Sequence, residues 1–259
     1  MARNTYGLDL GSYEIKVYDK KQDTIWKEKN VLAVQDKKEI IAIGEDAYQM
    51  YEKTPPDIEV AFPMRDGVIS RFNDMQNLLQ NILKKNRHFS RGAEYVIAVP
   101  TDVTEVQKKA FFDLVIHSNA KAREVNIVER SIADAVGLGI DVQNTTGVMI
   151  INFGGETTEL SVLTEGGIVF NRLLKLGGTT LDQEIVNLVR NSHDFLIGSR
   201  TAEILRQQFD VFNGDSETAF SVAGRDLITG LPMRKTISIT LVRAAFKDTL
   251  LECMKAVRS

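Results

Sequence analysis

Tyr6-Gly7-Leu8-Asp9-Leu10-Gly11-Ser12 and, far along the chain, Val148-Met149-Ile150-Ile151-Asn152-Phe153-Gly154-Gly155-Glu156-Thr157-Thr158 read as two copies of one device. In each, an apolar β run ends at Asp or Asn, a glycine-containing turn follows, and an alternating strand returns. The return runs through Ile15 and Val17 in the first copy and through Leu160 and Val162 in the second. Glycine has no Cβ, so backbone N–H groups at such a turn can approach and cradle a phosphate. A carboxylate at the strand end can orient a magnesium ion through its waters. Two such hairpins point to one phosphate tail gripped between two similar halves.

The bulk numbers exclude several classes of partner. The chain has 259 residues, 43% hydrophobic and 26% charged, which suits one large or two modest globular domains. A net charge of −3 argues against nucleic acid as the main partner. The longest apolar runs, Tyr95 to Val99 and Val148 to Ile151, have strand length and cannot span a bilayer. The first residues, Met1 to Thr5, lead into a strand without a signal-peptide apolar region. A lone cysteine, Cys253, cannot form an intrachain disulfide and fits a reducing cytoplasm, where it reads as a small core residue. His88, His117 and His193 lie far apart without metal-ligand spacing, and no Ser-His-Asp or Cys-His arrangement is evident.

The pattern of elements alternates β and α. Helical spacing is expected over Phe72 to Leu83, from Thr101 onward, over Ser131 to Gly137, from Thr179 or Thr180, from Thr201, and over Leu241 to Val257. Strands are expected at Glu94 to Val99, Val125 to Val128 and Ile168 to Leu174. The polar, turn-rich stretch Gln143 to Gly147 makes the best boundary, giving domains 1–145 and 146–259.

With their surroundings, the two hairpins resemble the actin-like ATPases, and among them the MreB family of bacterial cell shape-determining proteins. Pro63 to Ile69, Val99 to Val106, Val128 to Gly139, Gly198 to Glu203 and Ser221 to Pro232 extend the likeness, in the same order, over nearly the whole chain. The resemblance implies an α/β, actin-like fold with two ribonuclease-H-like lobes around a nucleotide cleft. A small subdomain at about 31–63 would be inserted in the first lobe. It also implies ATP or ADP with Mg2+, with Asp9 facing the metal through waters. Gly11, Ser12 and Tyr13 would cradle the phosphates, and Asn152, Gly154, Gly155, Glu156 and Thr157 would form the opposing loop. Glu203 and Arg206 would meet the ribose or adenine.

Three departures fall at the chemistry. The family's second loop, Asp-x-Gly-Gly-Gly-Thr, is here Asn152-Phe153-Gly154-Gly155-Glu156-Thr157, which loses a metal-side carboxylate and adds a negative charge. In the family's Glu-Glu-Pro segment the second Glu positions the attacking water; here the segment is Glu129-Arg130-Ser131. A guanidinium stays protonated, so Arg130 cannot be that base. Arg130 is expected to bridge to Glu156 or to meet a phosphate. The chain also stops within the helix Leu241 to Val257, where relatives continue to a Gly-Gly-Gly adenosine loop, so the second lobe is expected to lack its C-terminal part.

The resemblance therefore implies a filament-forming cytoskeletal protein that binds nucleotide weakly and hydrolyses it poorly. Its partners would be its own or paralogous subunits and the cell-wall synthesis machinery. Its place would be the cytoplasm, at the inner face of the membrane, with a weak interfacial contact by the basic loop Lys84 to Gly92. The alternatives are a non-polymerising regulator of a paralogous filament, or an active ATPase of the same superfamily.

Overall fold

The structure, a computed structural model, describes residues 4–85, 92–209 and 214–258. The chain opens with three strands, β1 (Thr5–Leu10), β2 (Glu14–Asp19) and β3 (Thr24–Lys29). Next come β4 (Leu32–Gln35), β5 (Glu39–Ile43), α1 (Glu45–Met50) and β6 (Ile58–Ala61). A two-stranded hairpin of β7 (Met64–Arg65) and β8 (Val68–Ile69) leads into α2 (Phe72–Lys85). An alternating run follows: β9 (Glu94–Val99), α3 (Glu105–Ile116), β10 (Glu124–Glu129) and α4 (Arg130–Gly137).

The second hairpin region comprises β11 (Val148–Phe153), β12 (Thr158–Thr164) and β13 (Gly167–Leu174). The remainder is α5 (Gly178–His193), β14 (Phe195–Leu196), α6 (Ser199–Gln208), β15 (Ala219–Asp226), β16 (Pro232–Ser238) and α7 (Ile239–Arg258).

The first sheet has the order β10-β9-β1-β2-β3. β1 pairs parallel with β9 and antiparallel with β2, so the sheet is mixed. Its central strands alternate strictly. Tyr6, Leu8 and Leu10 of β1 and Tyr95, Ile97 and Val99 of β9 point into one core, as period-2 side chains on a sheet must. α2 closes that core with Met75, Leu78, Leu79 and Ile82, which are at most 1% exposed and sit at the helical spacing the sequence predicts. Each such side chain contributes about 1.5–3 kcal/mol by leaving water.

The starts of α3, α5 and α6 differ from expectation. α3 begins at Glu105, because Thr104 and Gln107 form a reciprocal capping box there; Thr101 instead uses its hydroxyl on Ser131. α5 begins after Gly177, whose N–H donates to the Thr180 hydroxyl, so Thr180 acts from inside the first turn. α6 begins at Ser199, ahead of Thr201.

Contacts divide the chain into two compact units, the first running to Lys175 and the second from Leu176 to Ser259. β11 to β13 belong to the first unit because their apolar face packs on α4: Ala135, Ile150 and Leu163 share one core with Ile132 and Ile140. Glu159 of β12 also accepts the Thr101 N–H at 2.9 Å. The second unit has its own core, in which α5, α6 and α7 contribute Ile185, Val189, Leu205, Val242 and Phe246 around Phe195. Cys253 of α7 is a half-buried free thiol.

Candidate phosphate-binding site

Both glycine turns are closed by the same backbone hydrogen bond. In the first, the Gly11 N–H donates to the Glu14 carbonyl at 3.2 Å; in the second, the Gly154 N–H donates to the Thr157 carbonyl at 2.8 Å. A Cβ on Gly11 would stand 2.8 Å from that carbonyl oxygen, and a Cβ on Gly154 would stand 2.9 Å from its counterpart. Only glycine closes either turn without displacing the backbone. Asp9 and Asn152 lie two residues before their glycines, at the ends of β1 and β11. The cross-strand registers match as well. Asp9 stands opposite Lys16, and Asn152 opposite Glu159. The device is duplicated down to its hydrogen bonds.

The two turns meet inside the first unit. An added Cβ on Gly155 would lie 2.5 Å from the Tyr13 Cβ, so Tyr13 packs directly on the bare glycine backbone. Lys29 sits 3.6 Å above the Tyr13 ring and donates to its hydroxyl.

The turn between β7 and β8 ties both loops together. Asp66 (φ 50°) and Gly67 (φ 80°) adopt the left-handed conformation of a two-residue hairpin. The Gly67 N–H donates to Ser12 Oγ at 3.1 Å, and the Asp66 N–H donates to Glu156 Oε2 at 2.8 Å. Arg65 approaches the other Glu156 oxygen at 3.4 Å. Glu156 is therefore committed to this turn, and Arg130 does not bridge to it as the sequence suggested. The shorter reach belongs to Asp9, with Arg130 Nη2 3.6 Å from Asp9 Oδ1.

Asp9 is thus flanked by two cations, because Lys16 Nζ lies 2.9 Å from its Oδ2. The Arg130 side chain is 12% exposed, and its Nη2 is buried without a hydrogen-bond acceptor. One turn further along α4, Asp134 accepts from the Asn152 amide at 2.6 Å. Glu159 is buried and accepts from Thr101 N–H and from the Asn171 amide, both at 2.9 Å.

Burial pushes the Asp134 carboxyl above its ordinary value of 3.8. Asp9 and Glu159 add to the rise, while Asn152 and Arg130 oppose it. An acid whose folded value is raised destabilises the fold increasingly as pH climbs through the window above the unfolded value. Asp134→Asn is therefore expected to be more favourable to stability at about pH 7 than at about pH 4. Urea denaturation at the two pH values checks this, and a benefit that is larger in acid would contradict it.

Glu203 and Arg206 lie on α6 in the second unit. Arg206 forks onto Asp182, Nε to Oδ1 at 2.6 Å and Nη2 to Oδ2 at 3.2 Å, beneath Gly178. Glu203 is 5% exposed and accepts from Gln207 at 2.9 Å. Sequence reading missed Lys16, Asp134, Glu159 and the Asp66-Gly67 turn. The hairpin register would have paired Lys16 with Asp9, and Asp-Gly between short strands is a turn signal. Nothing in the local pattern marks Asp134 as more than an exposed helix residue.

The family pattern described as "MreB/Mbl protein" matches residues 3–259. The chain belongs to the MreB/Mbl family. It is 33% identical to the cell shape-determining protein MreB of Escherichia coli strain K12, over 99% of this chain and 76% of that one. It is 30% identical to the cell shape-determining protein Mbl of Bacillus subtilis strain 168, over 97% and 76%.

Among solved structures, MreB5 of Spiroplasma citri bound to AMPPNP superposes with a TM-score of 0.92 at 30% identity, covering 99% of this chain and 78% of that one. The ADP-bound form of that protein gives 0.89 at 29% identity, covering 100% and 79%. A MamK double helical filament shares the fold, at a TM-score of 0.78 and 20% identity over 99% and 79%. The actin-like α/β fold expected from the hairpin pair is the fold observed. No described helix is long and apolar enough to cross a membrane. The membrane-contact loop expected at Lys84 to Gly92 lies largely outside the described residues.

Proposed function

We propose that the chain is an actin-like cytoskeletal subunit that takes part in determining cell shape, binds an adenine nucleotide and turns it over poorly. The observation that carries this reading is the matched pair of glycine turns, closed on each other through Tyr13 and Gly155, with Arg130 beside Asp9. Family membership supports the cytoskeletal role, and nucleotide-bound relatives support the ligand.

Phosphates fit the residues present. Beside Asp9, between the strand ends that carry the two glycine turns, Arg130 Nη2 is buried with no acceptor, which suits a phosphate oxygen. Glu156 acts as the brace that holds the second loop to Asp66. In the second unit, Glu203 and Arg206 keep the ribose-side role implied by the resemblance, with Asp182 orienting Arg206.

Magnesium at Asp9 does not fit the residues as they stand. Both Asp9 oxygens face protein cations, and Asn152 turns its amide hydrogens to Asp134. Among the described residues no cluster of three or more His, Cys, Asp or Glu side chains could hold a metal ion.

Filaments of the chain itself or with a paralogue, lying at the cytoplasmic face of the membrane alongside the wall-synthesis machinery, complete the proposal. Electron microscopy of the purified chain with and without a non-hydrolysable ATP analogue tests it. Filaments that form or lengthen with the analogue are expected. A chain that stays monomeric and binds only the ends of a paralogue's filaments would make it a regulator instead.

A further inference from the structure

An actin-like site manages the charge of a polyphosphate, and here the charges are arranged by one short helix. α4 presents Arg130 and Asp134 one turn apart, so both side chains lie on the same face. Arg130 reaches Asp9 on the first loop, 3.6 Å away, and Asp134 takes the Asn152 amide of the second, 2.6 Å away. With Lys16 on Asp9 at 2.9 Å, two side-chain cations stand at the strand ends among Asp9, Asp134 and the buried Glu159. A hydrated divalent cation needs carboxylate lone pairs directed at its water shell. Those of Asp9 are directed at an ammonium and a guanidinium. Arg130 is nearly buried, carries a permanent charge, and keeps one unspent Nη2 N–H.

We propose that Arg130 is the resident counter-cation of the phosphate site, so that the chain holds nucleotide without needing a divalent metal. This rests on the reading of the loops as a nucleotide site. The guanidinium supplies the positive charge and the directed N–H that phosphate oxygens require, and Asp134, by holding Asn152, fixes the neighbouring loop. A cation delivered on a side chain is always present, whereas a metal is recruited with each nucleotide.

The test measures the affinity of a fluorescent ATP analogue in excess magnesium and in EDTA. For the unaltered chain the two values should agree within about three-fold. Arg130→Gln should bind at least about ten-fold more weakly in EDTA than in magnesium, and Arg130→Lys should restore the agreement. Loss of about ten-fold or more in EDTA by the unaltered chain overturns the proposal.

A second arm uses magnesium alone, with thermal unfolding as the readout. Magnesium should leave the unaltered chain within about 1 °C and raise Arg130→Gln by several degrees, because Asp9 Oδ1 then faces no side-chain cation and can recruit the ion. If the analogue binds under neither condition, the nucleotide reading fails, and this arm still decides the role of Arg130. An equal magnesium shift in the unaltered chain and in Arg130→Gln would overturn that role.

Discussion

Arg130→Glu is expected to destabilise the folded chain by about 3 kcal/mol in urea denaturation. The substitution removes the guanidinium that faces Asp9 Oδ1 and places a third acid beside Asp9 and Asp134, with buried Glu159 nearby on β12. Only Lys16 would remain to offset them, and it is 43% exposed and screened by water. Removing one member of a well-buried ion pair commonly costs about 3–5 kcal/mol, and the partial exposure of Asp9 places this case at the low end. Arg130→Met should cost much less, because it keeps the volume and adds no charge while Lys16 still pairs with Asp9. The difference between the two variants should narrow at about pH 4, where the introduced carboxyl takes up a proton. Equal midpoints for Arg130→Glu and the unaltered chain at neutral pH would show that Arg130 is not a charge partner of Asp9.

The second large effect concerns turnover. Hydrolysis of a nucleotide needs a water held in line with the terminal phosphate and a group to receive its proton. The resemblance implies a carboxylate at position 130, and here a permanently charged guanidinium stands there, turned to Asp9. Glu129 does not substitute. It ends β10 and precedes the first turn of α4, and a side chain one position away from Arg130 is directed elsewhere. Glu156 is held by Asp66 and Arg65. Loss of a positioned acid–base group commonly costs about 10²–10⁴-fold, so phosphate release should fall at least about 100-fold below that of a family member with the carboxylate in place. Steady release within about ten-fold of such a relative, measured at equal filament concentration, would contradict this.

Much of the fold was legible because its signals are local. The hairpin pair, the alternating runs of β1 and β9 and the 3.6-residue spacing of α2 each declare themselves within a dozen residues. Boundaries were less legible where a side chain chose between two backbone partners. Thr101 carries a cap-forming hydroxyl, and tertiary contact with Ser131 diverted it, leaving Thr104 to start α3.

The packing of the sheet that follows residues 143–147 was not legible, for a related reason. The polar stretch at 143–147 is a true loop, but the sheet after it packs back on α4 through Ile150 and Leu163. The two glycine turns could be read because their geometry depends on residue type at fixed spacing. Asp134 could not, because its role arises from α4 facing β11, a long-range contact without a short motif. Glu156 was legible as a departure and not in its use, since its partner is a backbone N–H ninety residues upstream.

The central proposal is that this chain holds nucleotide and leaves it intact. Incubating the purified chain with a stoichiometric amount of ATP for several hours, separating bound from free ligand and identifying the bound nucleotide by chromatography tests that claim most directly. Recovery of ATP with the protein, unconverted, and its loss in Gly155→Trp, which would drive a ring into Tyr13, is the predicted result. Bound ADP with released phosphate, abolished by Asp9→Ala, would contradict it.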